Sequence, residues 1–178
     1  MTRYAAFLRA INVGGRTVKM EALRQIFADL LFANVQTYIQ SGNVVFDVDD
    51  ADAAALAQLI EAHLQEALGY AVPTFLRTTD ELRALADAWP FPHTAEGKDV
   101  TLYVAFVRAK PPAARQAELL AQANEVDLFH VAGNHVFWLR RRYLGESAFS
   151  GARIEKALAT AATVRNISTI RKMARRFA

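Results

Sequence analysis

The chain of 178 residues contains no cysteine. That excludes a disulfide scaffold, a thiol nucleophile, an iron–sulfur cluster and a thiolate zinc site. It also lacks a long apolar run. The longest uncharged stretch, Leu30 to Phe46, is interrupted by Asn34, Gln36, Gln40, Ser41, Gly42 and Asn43, so no membrane span is expected. The apolar segment Tyr4 to Leu8 lies between Arg3 and Arg9 and is too short for a signal-peptide core, which makes the cytoplasm the expected location. Three chemical signatures are missing as well. Neither G-x-x-x-x-G-K-[ST] nor G-x-G-x-x-G can be read around Gly14-Gly15. No G-x-S-x-G elbow supports a serine hydrolase. The basic residues are not interleaved with an aromatic strand motif of the RNA-recognition type. His130 and His135 would share one face of a hairpin, but no third ligand accompanies them, so neither metal nor cofactor is expected. No residue is assigned a catalytic role.

What is present describes a globular chain. Of the 53% hydrophobic residues, 34 are alanine, leaving about a third of the sequence as large apolar side chains. Eleven Phe, five Tyr and two Trp with a net charge of +3 allow enough burial to offset ordering entropy. The charge is uneven. Met1 to Trp138 carries 11 basic and 16 acidic residues, Leu139 to Ala178 carries 10 and 2. Such a basic C-terminal fifth offers a field for nucleic acid, through Arg140, Arg141, Arg142 and a last helix bearing Arg171, Lys172, Arg175 and Arg176. A solvated helix face explains the same residues.

Periodicity gives an alternating order of elements. Tyr4 to Ala10 reads as a strand, Met20 to Leu31 as a helix, Val35 to Gln40 and Asn43 to Val48 as a hairpin around Ser41-Gly42. Asp49 or Asp50 is expected to cap a helix bearing Leu56, Leu59, Ile60, Leu64 and Leu68, which Gly69 ends. Val72 to Arg77 is a fourth strand, and Thr78 with Glu81 forms a capping box for a short helix. Trp89-Pro90-Phe91-Pro92-His93 breaks the pattern. The order then resumes with a strand from Val100 to Val107, a helix from Pro111-Pro112 to about Asn124 and a hairpin around Gly133-Asn134. Helices are expected at 152–161 and 167–177, the last with Ile167, Ile170, Ala174 and Phe177 inward. Both halves approximate βαββα, the first with a closing strand; the element order repeats although the residues do not. The predicted fold is α+β, two tandem ferredoxin-like halves with antiparallel sheets plus C-terminal helices. The boundaries are 1–88 for the first half, 89–99 for a linker and 100–178 for the second.

That topology brings the Asn12 to Thr17 loop, the start of the first helix and the Ser41-Gly42 hairpin to one end of the first sheet. Two glycine-containing loops beside a helix N-terminus present free backbone N–H groups, which suit an anion. The candidate ligand-binding residues are Arg9, Asn12, Gly14, Gly15, Ser41, Gly42 and Asn43, with charge from Arg16 or Lys19. The plain alternative is two well-formed turns, although Arg9, Asn12, Gln40, Ser41 and Asn43 offer more polar groups than turns need. Arg77 is expected at the opposite end. The expected partner is a small phosphate- or carboxylate-bearing molecule. Nucleic-acid binding and self-association are the alternatives.

Leu8 to Gly15, Val18-Lys19-Met20, Leu23-Arg24 and Val35 to Phe46 together resemble the signature of the family called domain of unknown function 1697. Ala162 to Asn166, with Thr169 and Lys172, is similar to that family's Ala-Thr-Thr-Arg-Asn-Trp segment. The resemblance implies two ferredoxin-like halves in one α+β unit and no particular reaction. It adds Arg165 and Asn166 to the candidate ligand-binding residues; a helix cap and an ion pair would account for the same two. The chain departs from the family pattern at Ala10, where Gly is usual, at Val164, where a second Thr is usual, and at Ile167, where Trp is usual.

Overall fold

The computed structural model describes residues 1–49 and 51–178. These divide into two compact units, Met1–Ala84 with Met173–Ala178, and Leu85–Lys172.

The first unit runs β1 (Thr2–Leu8), α1 (Met20–Ala28), β2 (Ala33–Tyr38), β3 (Asn43–Val48), α2 (Ala53–Leu68) and β4 (Thr74–Thr78), followed by α3 (Thr79–Asp87). Its sheet has the order β2-β3-β1-β4, every neighbouring pair antiparallel, which is the ferredoxin-like arrangement. Leu23 and Phe27 of α1 and Leu56, Ile60 and Leu64 of α2 recur at helical spacing. They bury against Tyr4, Ala6, Leu8, Val44 and Phe46 in one cluster. The capping box forms as expected, Thr78 N–H donating to Glu81 Oε2 at 2.7 Å and Glu81 N–H to Thr78 Oγ1 at 3.2 Å.

Two local expectations are corrected. Asp52 caps α2, its carboxylate accepting from Ala55 N–H at 2.8 Å. Asp49 does not, and Asp50 lies outside the described residues. The hairpin is also wider than a two-residue turn. Tyr38 pairs with Asn43, leaving Ile39, Gln40, Ser41 and Gly42 as the connection. Ile39 sits at φ 50° and Gly42 at φ 76°. A β-branched residue is rare in that region, and only a fixed turn explains its tolerance.

The second unit repeats the plan with β5 (Val100–Phe106), α4 (Ala113–Leu120), β6 (Asp127–Ala132), β7 (His135–Arg141), α5 (Gly151–Leu158) and β8 (Thr163–Asn166). The sheet order β6-β7-β5-β8 is again fully antiparallel. The hairpin here is a true two-residue turn, since Ala132 pairs with His135 and Gly133 takes φ 57°. Helix α4 stops at Leu120 rather than Asn124, and α5 starts at Gly151 with Ser150 as its cap. The closing strand β8 is an addition to the expected order. It has only four residues and no alternation to reveal it, and exists because β5 supplies its hydrogen-bonding partner. The last helix, α6 (Ile167–Phe177), buries Ile167, Ile170, Met173, Ala174 and Phe177.

The residues repeat too, once the ladders set the alignment. In β1, Ala5 pairs with Arg77 and Phe7 with Asn43; in β5, Val104 pairs with Arg165 and Phe106 with His135. Tyr4-Ala5-Ala6-Phe7-Leu8-Arg9-Ala10 therefore corresponds to Tyr103-Val104-Ala105-Phe106-Val107-Arg108-Ala109, and Arg77 to Arg165. Tyr4 stacks on Phe46 at 6.1 Å and Tyr103 on Trp138 at 4.7 Å, equivalent pairs facing the helices. Among the described residues no helix is long and apolar enough to cross a membrane.

Candidate functional site

The first unit brings the sequence-predicted loop and hairpin together. Leu8 N–H donates to Gly42 O at 2.8 Å and Arg9 N–H to Pro73 O at 2.9 Å, so the end of β1 is fixed to both neighbouring connections. Asn12 then ties the loop down. Its Nδ2 donates to Gln40 O at 2.8 Å and its Oδ1 accepts from Val18 N–H at 2.6 Å, binding the hairpin to the approach of α1. Gly42 fits against Ile11: a Cβ there would meet Ile11 Cγ2 at 2.5 Å and Leu8 Cβ at 3.1 Å. Glycine is required by space as well as by its φ. Ile11 is buried beneath, joining Leu8 and Val18 in the core.

On this frame Gly14 and Gly15 stand exposed at φ 63° and 82°, with nothing near enough to touch an added Cβ. Their conformation rather than crowding selects glycine. Arg16 turns back so that its guanidinium lies 4.1 Å from the Tyr70 ring centroid, an arrangement worth roughly 0.5–1 kcal/mol at an exposed site. The Tyr70 hydroxyl is buried and has no hydrogen-bond partner among the described residues. Sequence reasoning did not include Tyr70, because it lies after α2 and only the fold brings it beside the Arg16 loop. Ala10 takes φ 56°, which explains why glycine is usual there: the left-handed region costs an L-residue roughly 1–2 kcal/mol.

The surplus of polar side chains expected at this end is largely absorbed by structure. Asn12 uses both ends of its amide. Asn43 is fully buried and its Nδ2 donates to Tyr38 O at 3.0 Å and Ser41 Oγ at 2.8 Å. The groups that remain outward are the glycine-loop backbone and Arg16 on its tyrosine.

Arg165 and Asn166 belong to the second unit, on β8. Arg165 is buried. Its Nη1 donates to Thr163 Oγ1 at 2.8 Å and Val164 O at 3.0 Å, and burial pushes its guanidinium down to about 10. Asn166 Oδ1 accepts from Ser168 N–H at 2.8 Å at the start of α6. Arg77, the counterpart of Arg165, is likewise pushed down to about 10 by burial, opposed by the charge of Glu81. Arg77 lies toward the far end of β4, away from Arg9, because Leu8 pairs with Thr74 and Tyr4 with Thr78.

The basic C-terminal fifth is partly spent on the fold. Arg142 donates to Lys98 O, Arg153 to Ala148 O, and Arg171 to Ala86 O and to Glu96. Arg171 is thus half-buried, whereas Lys172, Arg175 and Arg176 are exposed. The ion pair with Arg171 holds the Glu96 carboxyl below its ordinary value. His130 and His135 do share a face, but Phe137 lies against both, with ring centroids 6.2 and 5.3 Å away.

Comparison with known proteins bears on the fold. No curated protein sequence matches the chain. A solved structure, that of a conserved bacterial protein from Streptococcus pneumoniae, is similar over 98% of this chain and 97% of its own, with a TM-score of 0.67 at 23% identity. At that identity the likeness concerns architecture alone. The sequence profile described as protein of unknown function (DUF1697) matches residues 1–137, which takes in the whole loop end of the first unit, and the chain belongs to that family.

Proposed function

We propose that the loop end of the first unit binds a small molecule through a phosphate or carboxylate group. The observation that carries this reading is the pairing of a pinned, glycine-rich loop with the cation of Arg16. Asn12 holds the loop against the hairpin, Gly14 and Gly15 present backbone outward, Arg16 supplies positive charge beside them, and Arg9 follows the end of β1 that leads into the loop. Backbone N–H groups that are already fixed need no reorganisation when an anion arrives, which is where such a site would gain affinity. The unpartnered Tyr70 hydroxyl beneath Arg16 adds a directional group.

The test is a melting-temperature screen with nucleotides, phosphosugars and small carboxylates. A ligand at a hundred times its dissociation constant stabilises by about 2.7 kcal/mol, an upward shift of several degrees. The shift should largely vanish in Arg9→Ala, each protein being compared with its own ligand-free baseline. In Tyr70→Phe it should shrink while the baseline stays put, because the hydroxyl has no partner to lose. A full shift in both variants would remove the site from this end of the unit.

A further inference from the structure

The two sheets treat their outer edges differently. In the first unit the edge strand β2 is interrupted: its register on β3 shifts between Ala33 and Gln36, Asn34 takes φ 51°, and Asn34 Nδ2 donates to Asp47. A broken edge of that kind resists pairing with another chain. In the second unit the edge strand β6 keeps one register on β7 from Asp127 to Ala132. It reads Asp-Leu-Phe-His-Val-Ala, without the proline, lysine or arginine that would blunt it. The opposite edge, β8, has only four residues and runs directly into α6.

The direction of each backbone group in β6 follows from the ends of its ladder. Arg141 N–H donates to Val126 O at 2.8 Å, and Ala132 and His135 close the two-residue turn. Val126, Leu128, His130 and Ala132 therefore aim their backbone groups at β7, while Asp127, Phe129 and Val131 aim theirs outward. Asp127 is already served. Its carbonyl accepts from Asn124 N–H at 2.9 Å and its N–H donates to Asn124 Oδ1 at 3.0 Å. What the edge offers is the N–H and C=O groups of Phe129 and Val131, and among the described residues no strand lies beyond them.

Donors and acceptors spaced in this way are their own complement. A two-fold axis through His130, normal to the sheet, sets Phe129 of one copy against Val131 of another, and each such pair exchanges two hydrogen bonds. Shifting the register by two residues would call on Asp127 or on the Gly133 turn instead. We propose that β6 is an interface with a second copy of this chain, an antiparallel pairing of β6 with β6 that joins the two second-unit sheets into one of eight strands. The axis keeps the helix-covered faces of both sheets on the same side. Two paired edges make a small interface, and the complex is weak and reversible. His130, whose side chain is exposed, faces its own copy across the axis at the closest type of strand pair, about 4.5 Å between Cα atoms. On that face of β6 and β7 stand Leu128, Ala132, Phe137 and Leu139, with His135 and Arg141 as the ionisable groups. Both are basic, so protonating His130 adds charge of the same sign and weakens the pair.

Sedimentation of the full chain across a concentration series should show a reversible monomer–dimer equilibrium at neutral pH that shifts toward monomer at about pH 5. No anion enters the measurement, so its outcome is independent of the first-unit site. Val131→Pro removes an outward N–H from each copy, a change that an edge strand accepts, and should weaken the dimer by on the order of tenfold or more. His130→Glu alters an exposed side chain, sets two carboxylates against each other and should weaken it similarly with the melting temperature of the monomer unchanged. His130→Gln should associate like the parent at neutral pH and lose the sensitivity to acid. A chain that stays monomeric throughout the series, or a dimer indifferent to His130→Glu, would overturn the proposal. A parent dimer equally tight at both pH values would overturn the register that puts His130 on the axis.

Discussion

The two units share a sheet and differ at its ends. Aligned by strand pairing, they repeat the stacked aromatic pair (Tyr4 on Phe46, Tyr103 on Trp138), the strand-end arginine (Arg9, Arg108) and the buried arginine of the closing strand (Arg77, Arg165). Where they diverge, one unit is polar and the other apolar at the same register. Arg3 pairs with Asp47 across β1 and β3, its Nε donating to Oδ1 at 2.6 Å, and Asn34 donates to the same carboxylate at 2.7 Å. The corresponding partners in β5 and β7 are Leu102 and Leu139. The comparison separates positions set by the sheet from those left to local solutions. Interior positions repeat because both sheets must fill the same space under two helices, whereas loop ends answer to solvent and are free to become a glycine loop in one unit and a proline-stiffened turn in the other.

The largest expected effect contrasts the two hairpins. Gly42→Ala must force Ile11 aside and strain a left-handed residue, which should cost about 2–4 kcal/mol. Gly133→Ala meets nothing within 4 Å and should cost only about 1–2 kcal/mol, the price of its φ. Denaturant titration of both variants measures the gap, and equal losses would mean that the hairpins are packed alike.

Next comes the buried carboxylate of the second unit. Asp127 Oδ1 accepts from Trp138 Nε1 at 2.8 Å and from Ser147 Oγ at 2.6 Å in a fully buried setting. Asp127→Ala orphans both donors and should destabilise by roughly 2–3 kcal/mol. The first unit has Phe46 in place of Trp138 and so no indole to satisfy. Trp138→Phe in the Asp127→Ala background should recover part of the loss, which a double-mutant cycle reads directly.

Acid should distinguish the units as well. The Arg3 guanidinium, by hydrogen bond first and charge second, holds the Asp47 carboxyl below its ordinary value, aided by Asn34 and opposed by partial burial. A carboxyl lowered in the folded state stabilises fully above about pH 4, the unfolded value, and loses that contribution as pH falls through the folded one. Stability measured from pH 6 to pH 2 should therefore fall less steeply in Asp47→Asn than in the parent. Leu102 and Leu139 contribute no such slope. Parallel curves for parent and variant would show that the ion pair is thermodynamically silent.

The smallest effects have opposite signs. Ala10 stands at φ 56°, and Ala109, its counterpart, is not among the positive-φ residues. Ala10→Gly should stabilise by up to about 1 kcal/mol and Ala109→Gly should destabilise by about 0.5–1 kcal/mol. Melting temperatures moving in the same direction would contradict the different backbone states of the two strand ends.

Much of the plan was legible without coordinates. The helical spacing of Leu23 and Phe27 and of Leu56, Ile60 and Leu64, the turn residues around Gly42 and Gly133, and the Thr78–Glu81 box are local signals, and the ferredoxin-like order follows from their sequence. The convergence of the Asn12 to Thr17 loop on the Ser41-Gly42 hairpin also follows, because the direction of each strand is fixed by its connection to the last. Local signals failed where partners lie far away. Four residues, Thr163 to Asn166, became a strand because β5 was there to pair with them, and the internal repeat of Tyr, Ala, Phe and Arg emerged only when the ladders fixed the register.

The roles of individual polar groups belonged to tertiary structure from the start. Nothing in the order of residues distinguishes an Asn43 that is buried and bonded within its turn from one that faces a ligand, nor puts Tyr70 under Arg16, nor leaves β6 at the edge of its sheet. Sequence periodicity reports which side of an element meets the core, since burial of apolar area is non-directional and sums along the chain. Hydrogen bonds are directional and local in space, so their partners are decided only when distant segments have been brought within three ångströms of one another.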